Sequence, residues 1–177
     1  MSTAPDATPD ATNSTDRFER QLVLDATQSR VWRAITDVSQ FNSWFGVKLA
    51  TPFAPGGESS GQISIRNYEH ITMHLWIEAL EPERFFSFRW HPNAVDPNVD
   101  YSAEPTTLVT FTLEPVDGGT QLTIVESGFD ALSVARRAPA FTGNSKGWAS
   151  QLENIRKFLA ARSLDAARCH DLCDHVG

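Results

Sequence analysis

The C-terminal part of the chain carries one apolar stripe at helical spacing, long enough to cross a whole β-sheet. Its members are Trp148, Leu152, Ile155 and Leu159. The spacing predicts a helix over NSKGWASQLENIRKFLA, with Asn144 or Ser145 as its N-cap. About 16 residues at a rise of ~1.5 Å each give a length of roughly 24 Å. Such a stripe must be buried against another element, so the rest of the chain has to supply a surface of matching length.

The segments before this helix supply that surface as strands in which apolar and polar residues alternate. The positions that the alternation places on one face are Ile71, Met73, Leu75, Ile77, Phe86, Phe88, Trp90, Val109, Phe111, Leu113, Leu122 and Ile124. The last two strands are joined through Asp117, Gly118 and Gly119, which is typical of a hairpin turn. The pattern predicts an antiparallel sheet with one apolar face.

The start of the domain combines a strand with two short helices. Phe18, Leu22 and Leu24 share one face of a strand, and Thr27 can cap the helix SRVWRAIT that follows. A second short helix or turn is predicted in VSQFNSWFG. Strands that precede one long terminal helix indicate an α+β domain, with the helix packed on the apolar face of the sheet.

Composition and length indicate one folded domain. The chain has 177 residues, of which 41% are hydrophobic and 21% charged, as in ordinary globular domains. Residues 1–17 consist almost entirely of Ser, Thr, Ala, Pro and Asp, so they are predicted to form a disordered N-terminal tail. Residues 18–160 are predicted to form the domain, and residues 161–177 a polar C-terminal tail.

Charge and hydropathy argue against several classes of partner. The net charge is −7 and the fifteen Lys and Arg are scattered, so no nucleic acid is expected to bind. No apolar run approaches the roughly 18 residues of a membrane-spanning helix, and no segment is basic and amphipathic enough to attach to a membrane surface. The N-terminus also lacks the basic start and apolar core of a signal peptide. We therefore expect a cytoplasmic protein without membrane contact.

The sequence offers weak candidates for metal ligands. Cys169, His170, Cys173 and His175 can all bind a soft metal, but their spacing is not that of a known zinc finger. Two reduced thiols and no metal are expected there. No phosphate loop, hydrolase or dinucleotide-binding motif occurs in the chain. No cofactor is expected.

Histidines and aromatic residues also fall on the other face of the predicted sheet. His70 and His74 share that face without an evident third metal ligand, so they are interpreted as a surface pair. His91 is interpreted as a loop residue that can reach a cavity rim. Trp76 and Phe85 point outward by the same alternation, which is compatible with a homodimer.

Four short motifs, in this order, resemble the START-like (SRPBCC) superfamily, and within it the family homologous to the activator of heat-shock-protein-90 ATPase. They are Val31-Trp32, Trp44-Phe45, Glu126-Ser127-Gly128-Phe129 and Gly147-Trp148. The resemblance extends from Phe18 to Ala160. It implies an α+β helix-grip fold, in which a curved antiparallel sheet wraps around a long C-terminal helix with an internal apolar cavity between them. Members of the superfamily include lipid and hormone carriers, polyketide cyclases and aromatases, and cochaperone-like domains, so the fold does not fix the activity.

One carboxylate interrupts the apolar face. Glu126 follows Leu122 and Ile124 on the same side of the last strand, and that side faces the cavity. Among aromatic residues its pKa is expected to rise, which suits an acid or base, or a group that holds the polar end of a ligand. The alternative is that the strand has already ended and that Glu126 pairs with Arg136 or Arg137 or caps nearby backbone.

The expected cavity makes several residues candidates for ligand contact, although the same residues also suit an ordinary core. The candidates are Trp44, Phe45, Phe88, Trp90, Phe111, Glu126, Trp148 and Leu152. The first functional hypothesis is binding of a small hydrophobic ligand resembling a lipid or a polyketide. The second is a cyclase or aromatase in which Glu126 is the catalytic acid or base. The third, which rests on the resemblance alone, is a chaperone-associated interaction domain.

Gly147, which precedes Trp148, has a predicted structural role. Gly147 lies in the first turns of the predicted helix, where glycine costs roughly 1 kcal/mol against alanine. We expect it either to let the helix backbone approach the sheet closely or to leave an open path, while Trp148 closes one end of the cavity.

Overall fold

The protein is described by a computed structural model that covers residues 14–173, with side chains up to residue 163. The elements are β1 (Arg17–Leu24), α1 (Gln28–Thr36), α2 (Val38–Phe45), β2 (Val47–Leu49), β3 (Glu58–Ile63), β4 (Thr72–Glu81), β5 (Phe85–Trp90), β6 (Thr107–Val116), β7 (Gly119–Ser127), a 3-10 turn (Phe129–Ala131) and α3 (Val134–Cys173).

All seven strands form one antiparallel sheet in the order β1-β7-β6-β5-β4-β3-β2. The strands β1 and β2 are consecutive in sequence but lie at opposite edges, so α1 and α2 connect the two edges of the sheet. The long helix α3 packs its apolar stripe, including Trp148 and Ile155, into the same core as the strands. This confirms the predicted α+β helix-grip fold.

The predicted apolar face of the sheet is the buried one. Most of the inward positions are nearly inaccessible, whereas Ile71 and Trp90, which lie at the ends of the pattern, are only half-buried. A bulge between Ile77 and Ala79 interrupts the alternation in β4, and Leu80 packs partly against the core as a result. Trp76 and Phe85 are half-buried on the other face, where the homodimer stays a prediction.

Side-chain hydrogen bonds fix the two short helices. Thr27 caps α1 as predicted, since its hydroxyl accepts from the Arg30 amide at 3.2 Å. The carboxylate of Asp37 does the same for α2, accepting from the Gln40 amide at 3.0 Å. The indole of Trp44 donates to the Ala34 carbonyl at 2.8 Å, which ties α2 to α1.

Helix α3 begins earlier than the sequence predicted. It starts at Val134, so the expected caps Asn144 and Ser145 lie inside it. Pro139 and Gly143 disfavour a helix in this stretch and hide its true start. Tertiary packing overrides these propensities, because this first part of α3 is anchored in a second small apolar cluster. The members of that cluster are Phe129, Leu132 and Ala140, with Phe18 and Phe141 packed against it.

At its other end α3 continues to Cys173, into the predicted polar tail. The side chains of Cys169, His170 and Cys173 lie outside what the structure describes, as do His175 and residues 1–13. Within residues 14–173, no helix combines the length and apolar character needed to cross a bilayer.

Candidate functional site

The carboxylate of Glu126 is fully buried and accepts hydrogen bonds from four uncharged side chains. Its Oε1 atom accepts from Trp90 Nε1 at 2.8 Å, from Thr107 Oγ1 at 2.6 Å and from Asn144 Nδ2 at 2.9 Å. Its Oε2 atom accepts from Trp148 Nε1 at 2.9 Å and from Asn144 Nδ2 at 3.1 Å. Both oxygens are therefore occupied by donors.

Strand register and helix periodicity bring these five residues together. Trp90 ends β5, Thr107 begins β6, and the two are register partners. Glu126 is the last but one residue of β7, next to the start of β6, because Val109 is its register partner. Asn144 and Trp148 are four residues apart on α3, so they project from the same face of the helix. The cluster thus lies where three strands meet the helix.

The environment of Glu126 acts on its pKa in two directions. Burial raises the pKa of the carboxyl above its ordinary value, and the hydrogen bonds from the four donor side chains, led by Thr107, oppose the rise. The predicted alternative, an ion pair with Arg136 or Arg137, is wrong. Arg136 pairs with Glu104 at 3.1 Å, and Arg137 donates to the Leu132 carbonyl at 2.8 Å. Among the described contacts, Glu126 has no basic partner.

The aromatic candidates surround this carboxylate as packed core. The ring centroid of Trp148 lies 5.5 Å from Trp90, 6.0 Å from Phe45 and 5.6 Å from Phe111. Phe88 lies 5.5 Å from Trp90. Three of these contacts are edge-on and the one between Trp90 and Trp148 is tilted, and together they fill the space between the sheet and α3 at this point.

Two further candidates lie in the same core but away from the carboxylate. The ring of Trp44 contacts that of Phe45 at 5.7 Å, although its indole hydrogen bond goes to α1. Leu152 is buried one turn beyond Trp148 on α3. Both residues are therefore part of the core, away from the Glu126 carboxylate.

A cavity lies beside these residues, where β4 extends past the end of β5. The β4–β5 ladder begins at Trp76 and Arg89, so β4 residues 72–75 have ladder partners only in β3. The segment 91–106 borders the opening that this leaves. The cavity has a volume of about 650 Å³. Its wall includes inward-facing Met73 and outward-facing His74, so both faces of the sheet contribute to it.

Only part of the predicted ligand contacts line this cavity. Phe45 and Trp90 do so, together with Asn144, which the sequence indicated only as a helix cap. Glu126 lies directly behind this wall, because Trp90 and Asn144 both donate to it. Trp148 is 2% exposed and sits behind Trp90 rather than at an end of the cavity.

The rim of the cavity is unusually apolar for an exposed surface. Ile65, Tyr68, Val95 and Val99 all line it, and each is between 42% and 48% exposed. They make up most of the large apolar side chains that are strongly exposed in the described part of the chain. Apolar side chains gathered at a cavity mouth are typical of a binding surface.

Three histidines line the cavity, and each already has an oxygen partner. His74 Nδ1 lies 3.0 Å from Glu58 Oε1, His70 Nε2 lies 3.4 Å from the Val95 carbonyl and His91 Nε2 lies 3.2 Å from the Glu104 carbonyl. Within the described residues, no three His, Cys, Asp or Glu side chains are grouped as metal ligands.

Arg136 on α3 anchors the segment 91–106 at both ends. It donates to the Pro92 carbonyl at 2.7 Å near one end and to the Glu104 carboxylate at 3.1 Å near the other. Its guanidinium also lies 4.8 Å from the ring centroid of Tyr101. No local pattern in the sequence indicates this anchor, and Arg136 was predicted only as a partner of Glu126.

The close approach to the sheet predicted at Gly147 is absent, and a close contact with a loop occurs at Gly143 instead. A Cβ atom added to Gly147 would meet nothing within 4 Å, so the close-approach explanation is wrong there. A Cβ atom on Gly143 would lie 3.1 Å from Oδ1 of Asn93. It is Gly143 that lets the segment 91–106 pass close to α3.

Comparison with known proteins supports this architecture. The family model described as "Activator of Hsp90 ATPase homolog 1-like protein" matches residues 25–160. No curated protein matches the chain.

Solved structures with the same fold come from several sources. Protein MLL2253 from Mesorhizobium loti is 24% identical, with a TM-score of 0.65 over 82% of this chain and 97% of its own. Protein NE0264 from Nitrosomonas europaea is 17% identical, with a TM-score of 0.67 over 86% of this chain and 99% of its own. DynU16, a putative protein in the dynemicin biosynthetic locus, is 21% identical, with a TM-score of 0.64 over 82% of this chain and 47% of its own. At these sequence identities, the similarity shows a shared fold and nothing about function.

Proposed function

The chain belongs to the family of activator of Hsp90 ATPase homolog 1-like proteins, and we propose that this member binds a small, mainly apolar molecule in the cavity beside β4. The observation that carries the proposal is the cavity of about 650 Å³ with an exposed apolar rim. Its volume falls within the range of roughly 300–1,000 Å³ that is common for small-molecule sites.

The rim supplies a driving force for binding. Exposed apolar surface is unfavourable in water by about 25 cal/mol per Å², so a ligand that covers Ile65, Tyr68, Val95 and Val99 recovers part of this free energy. Deeper in the cavity, Phe45, Met73 and Trp90 offer further apolar contacts. This wall suits an alkyl or aromatic body.

We assign Glu126 a positioning role in this function. Its carboxylate accepts from Trp90 Nε1 and Asn144 Nδ2, and both of these side chains line the cavity. The buried carboxyl group therefore fixes the orientation of the inner wall without touching the ligand. A role as catalytic acid or base has less support, because both carboxylate oxygens are occupied and the residue does not line the cavity.

A single methyl group can test for binding. The chain has two methionines, Met1 and Met73, and Met73 lines the cavity. In protein labelled with ¹³C at the methionine methyl groups, we expect the Met73 signal to move on addition of at least one of octanol, octylamine or octanoate. The Met1 signal serves as the internal control.

A blocking variant completes the experiment. Ala94 lines the cavity in the segment 91–106, so Ala94→Trp should fill it and abolish the response of Met73. Ala149→Trp on the exposed face of α3 is the matched control and should leave the response intact. A Met73 signal that stays fixed with all three probes at millimolar concentration would contradict the proposed function.

A further inference from the structure

The charged groups of the cavity wall are carboxylates. Glu58, Asp96 and Asp100 line it, whereas no Lys or Arg is found among its described lining residues. Hydrogen bonds from Ser102 hold the pKa of the Asp100 carboxyl below its ordinary value, and Asp96 accepts from the Asn98 amide at 2.9 Å. Counted by formal charge with histidine neutral, the wall is therefore negative.

The arginines nearest to the cavity do not offset this charge. Arg136 contacts the lining residue Tyr101, but it already pairs with Glu104 and donates to the Pro92 carbonyl. Arg66 follows the rim residue Ile65 in the chain without lining the cavity. An anionic ligand would thus lose its hydration without gaining a cationic partner from the wall.

The uncharged polar groups of the wall also favour a ligand that donates hydrogen bonds. Asn144 turns its Nδ2 atom toward Glu126, because a carboxylate only accepts hydrogen bonds. The other amide atom, Oδ1, does not face Glu126 and is an acceptor. The same reasoning applies to His70, His74 and His91. Each places one ring nitrogen against an oxygen, so the neutral ring donates there and keeps its other nitrogen as an acceptor.

We propose that the ligand of this cavity is an apolar amine, bound as its ammonium ion. The ammonium would lie among the carboxylates and acceptors of the wall, and the rings of Tyr68 and Trp76 add aromatic groups that attract cations. The apolar body would cover the rim. This inference rests on the proposed function, since it names the chemical class of ligand for the same site.

A matched probe series tests it. Octylamine, octanol and octanoate share one alkyl chain and differ in the charge of the head group. With the Met73 methyl signal as the readout, we expect octylamine to bind about tenfold more tightly than octanol, and octanoate to bind more weakly than octanol. The preference for the amine should shrink when salt is raised to ~0.5 M, because screening weakens charge interactions and leaves apolar contacts in place.

Variants separate the wall charge from the net charge of the protein. In Asp96→Asn/Asp100→Asn the remaining side-chain oxygens still accept the turn hydrogen bonds, so the fold should be kept. The affinity for octylamine should fall toward the affinity for octanol. The control is Glu114→Gln/Asp117→Asn, which removes the same charge at the opposite end of β6. Octanoate binding as tightly as octylamine, or an amine preference unchanged in the wall variant, would overturn the inference alone. Absence of binding by all three probes would overturn the proposed function as well.

Discussion

Trp90 and Thr107 face each other at the paired ends of β5 and β6, and both donate to the same oxygen of Glu126. The carboxylate on β7 is thereby tied to the ends of two neighbouring strands. A slip of one residue in either ladder would turn the donor side chain to the other face of the sheet. The cluster therefore reports on correct strand register as well as on packing of α3.

The buried carboxylate should make stability depend on pH. Its folded-state pKa is raised above the unfolded value of about 4.3. Between these two values the folded protein binds a proton that the unfolded chain does not. The contribution of this group to the free energy of unfolding is therefore fully present below pH ~4.3 and is lost as the pH rises through the folded pKa. In Glu126→Gln this contribution should disappear. Urea unfolding at several pH values measures it as the difference between wild type and variant, with Glu114→Gln as the exposed control.

Replacement of Trp148 should be costly. The ring is 2% exposed, and its indole donates to Glu126. We expect Trp148→Ala to lower the free energy of unfolding by about 3–5 kcal/mol, because the core around the ring is packed solid. Trp148→Phe keeps much of the ring but removes one of the two donors to Oε2 of Glu126, which should cost roughly 1–3 kcal/mol. If chemical denaturation shows that Trp148→Ala loses less than about 3 kcal/mol, the core around this ring is loosely packed.

Arg136 should control the segment that borders the cavity. Its hydrogen bonds to Pro92 and Glu104 are charge-assisted, and such bonds contribute about 1.5–3 kcal/mol each. Arg136→Ala should therefore accelerate amide hydrogen exchange in the segment 91–106 by tenfold or more and weaken ligand binding. Arg156→Ala, which removes an exposed arginine from the same helix, should change neither quantity. Equal exchange rates in the two variants would show that the segment is held by other contacts.

The two glycines of α3 should respond differently to the same substitution. A Cβ atom at Gly147 meets open space, so Gly147→Ala should stabilise the helix by about 0.5–1 kcal/mol. At Gly143 the added methyl group meets the side chain of Asn93, which offsets this gain. In thermal unfolding, the midpoint temperature should rise for Gly147→Ala but not for Gly143→Ala. The same increase in both variants would contradict the close contact at Gly143.

The strand faces and the inward carboxylate were predictable from the sequence because both follow from local periodicity. A period of two fixes the face of every residue in a strand once one face is known to be apolar, and Glu126 lies within that run. The terminal apolar stripe likewise identified the buried face of α3. These features do not depend on distant parts of the chain.

The start of α3 and the position of the cavity could not be predicted in this way. Pro139 and Gly143 oppose a helix locally, and only contacts with distant residues such as Phe18 and Phe129 outweigh them. The cavity is bordered by the segments 64–71 and 91–106, which have no regular period. Arg136 joins one of them to α3 through partners that are 32 and 44 residues away, and no local pattern indicates such a contact.

The pairing of β1 with β7 has a consequence for how the chain folds during synthesis. Arg17 pairs with Ser127, so the first strand leaves the ribosome long before its only neighbour in the sheet exists. Pairings so distant in sequence form slowly, because a long loop must close before any contact offsets the entropy lost. At about 5–20 residues per second, β1 waits for seconds with its backbone unpaired. The last core residues of α3 are made later still, so the nascent domain completes its fold only after nearly the whole described chain has been translated.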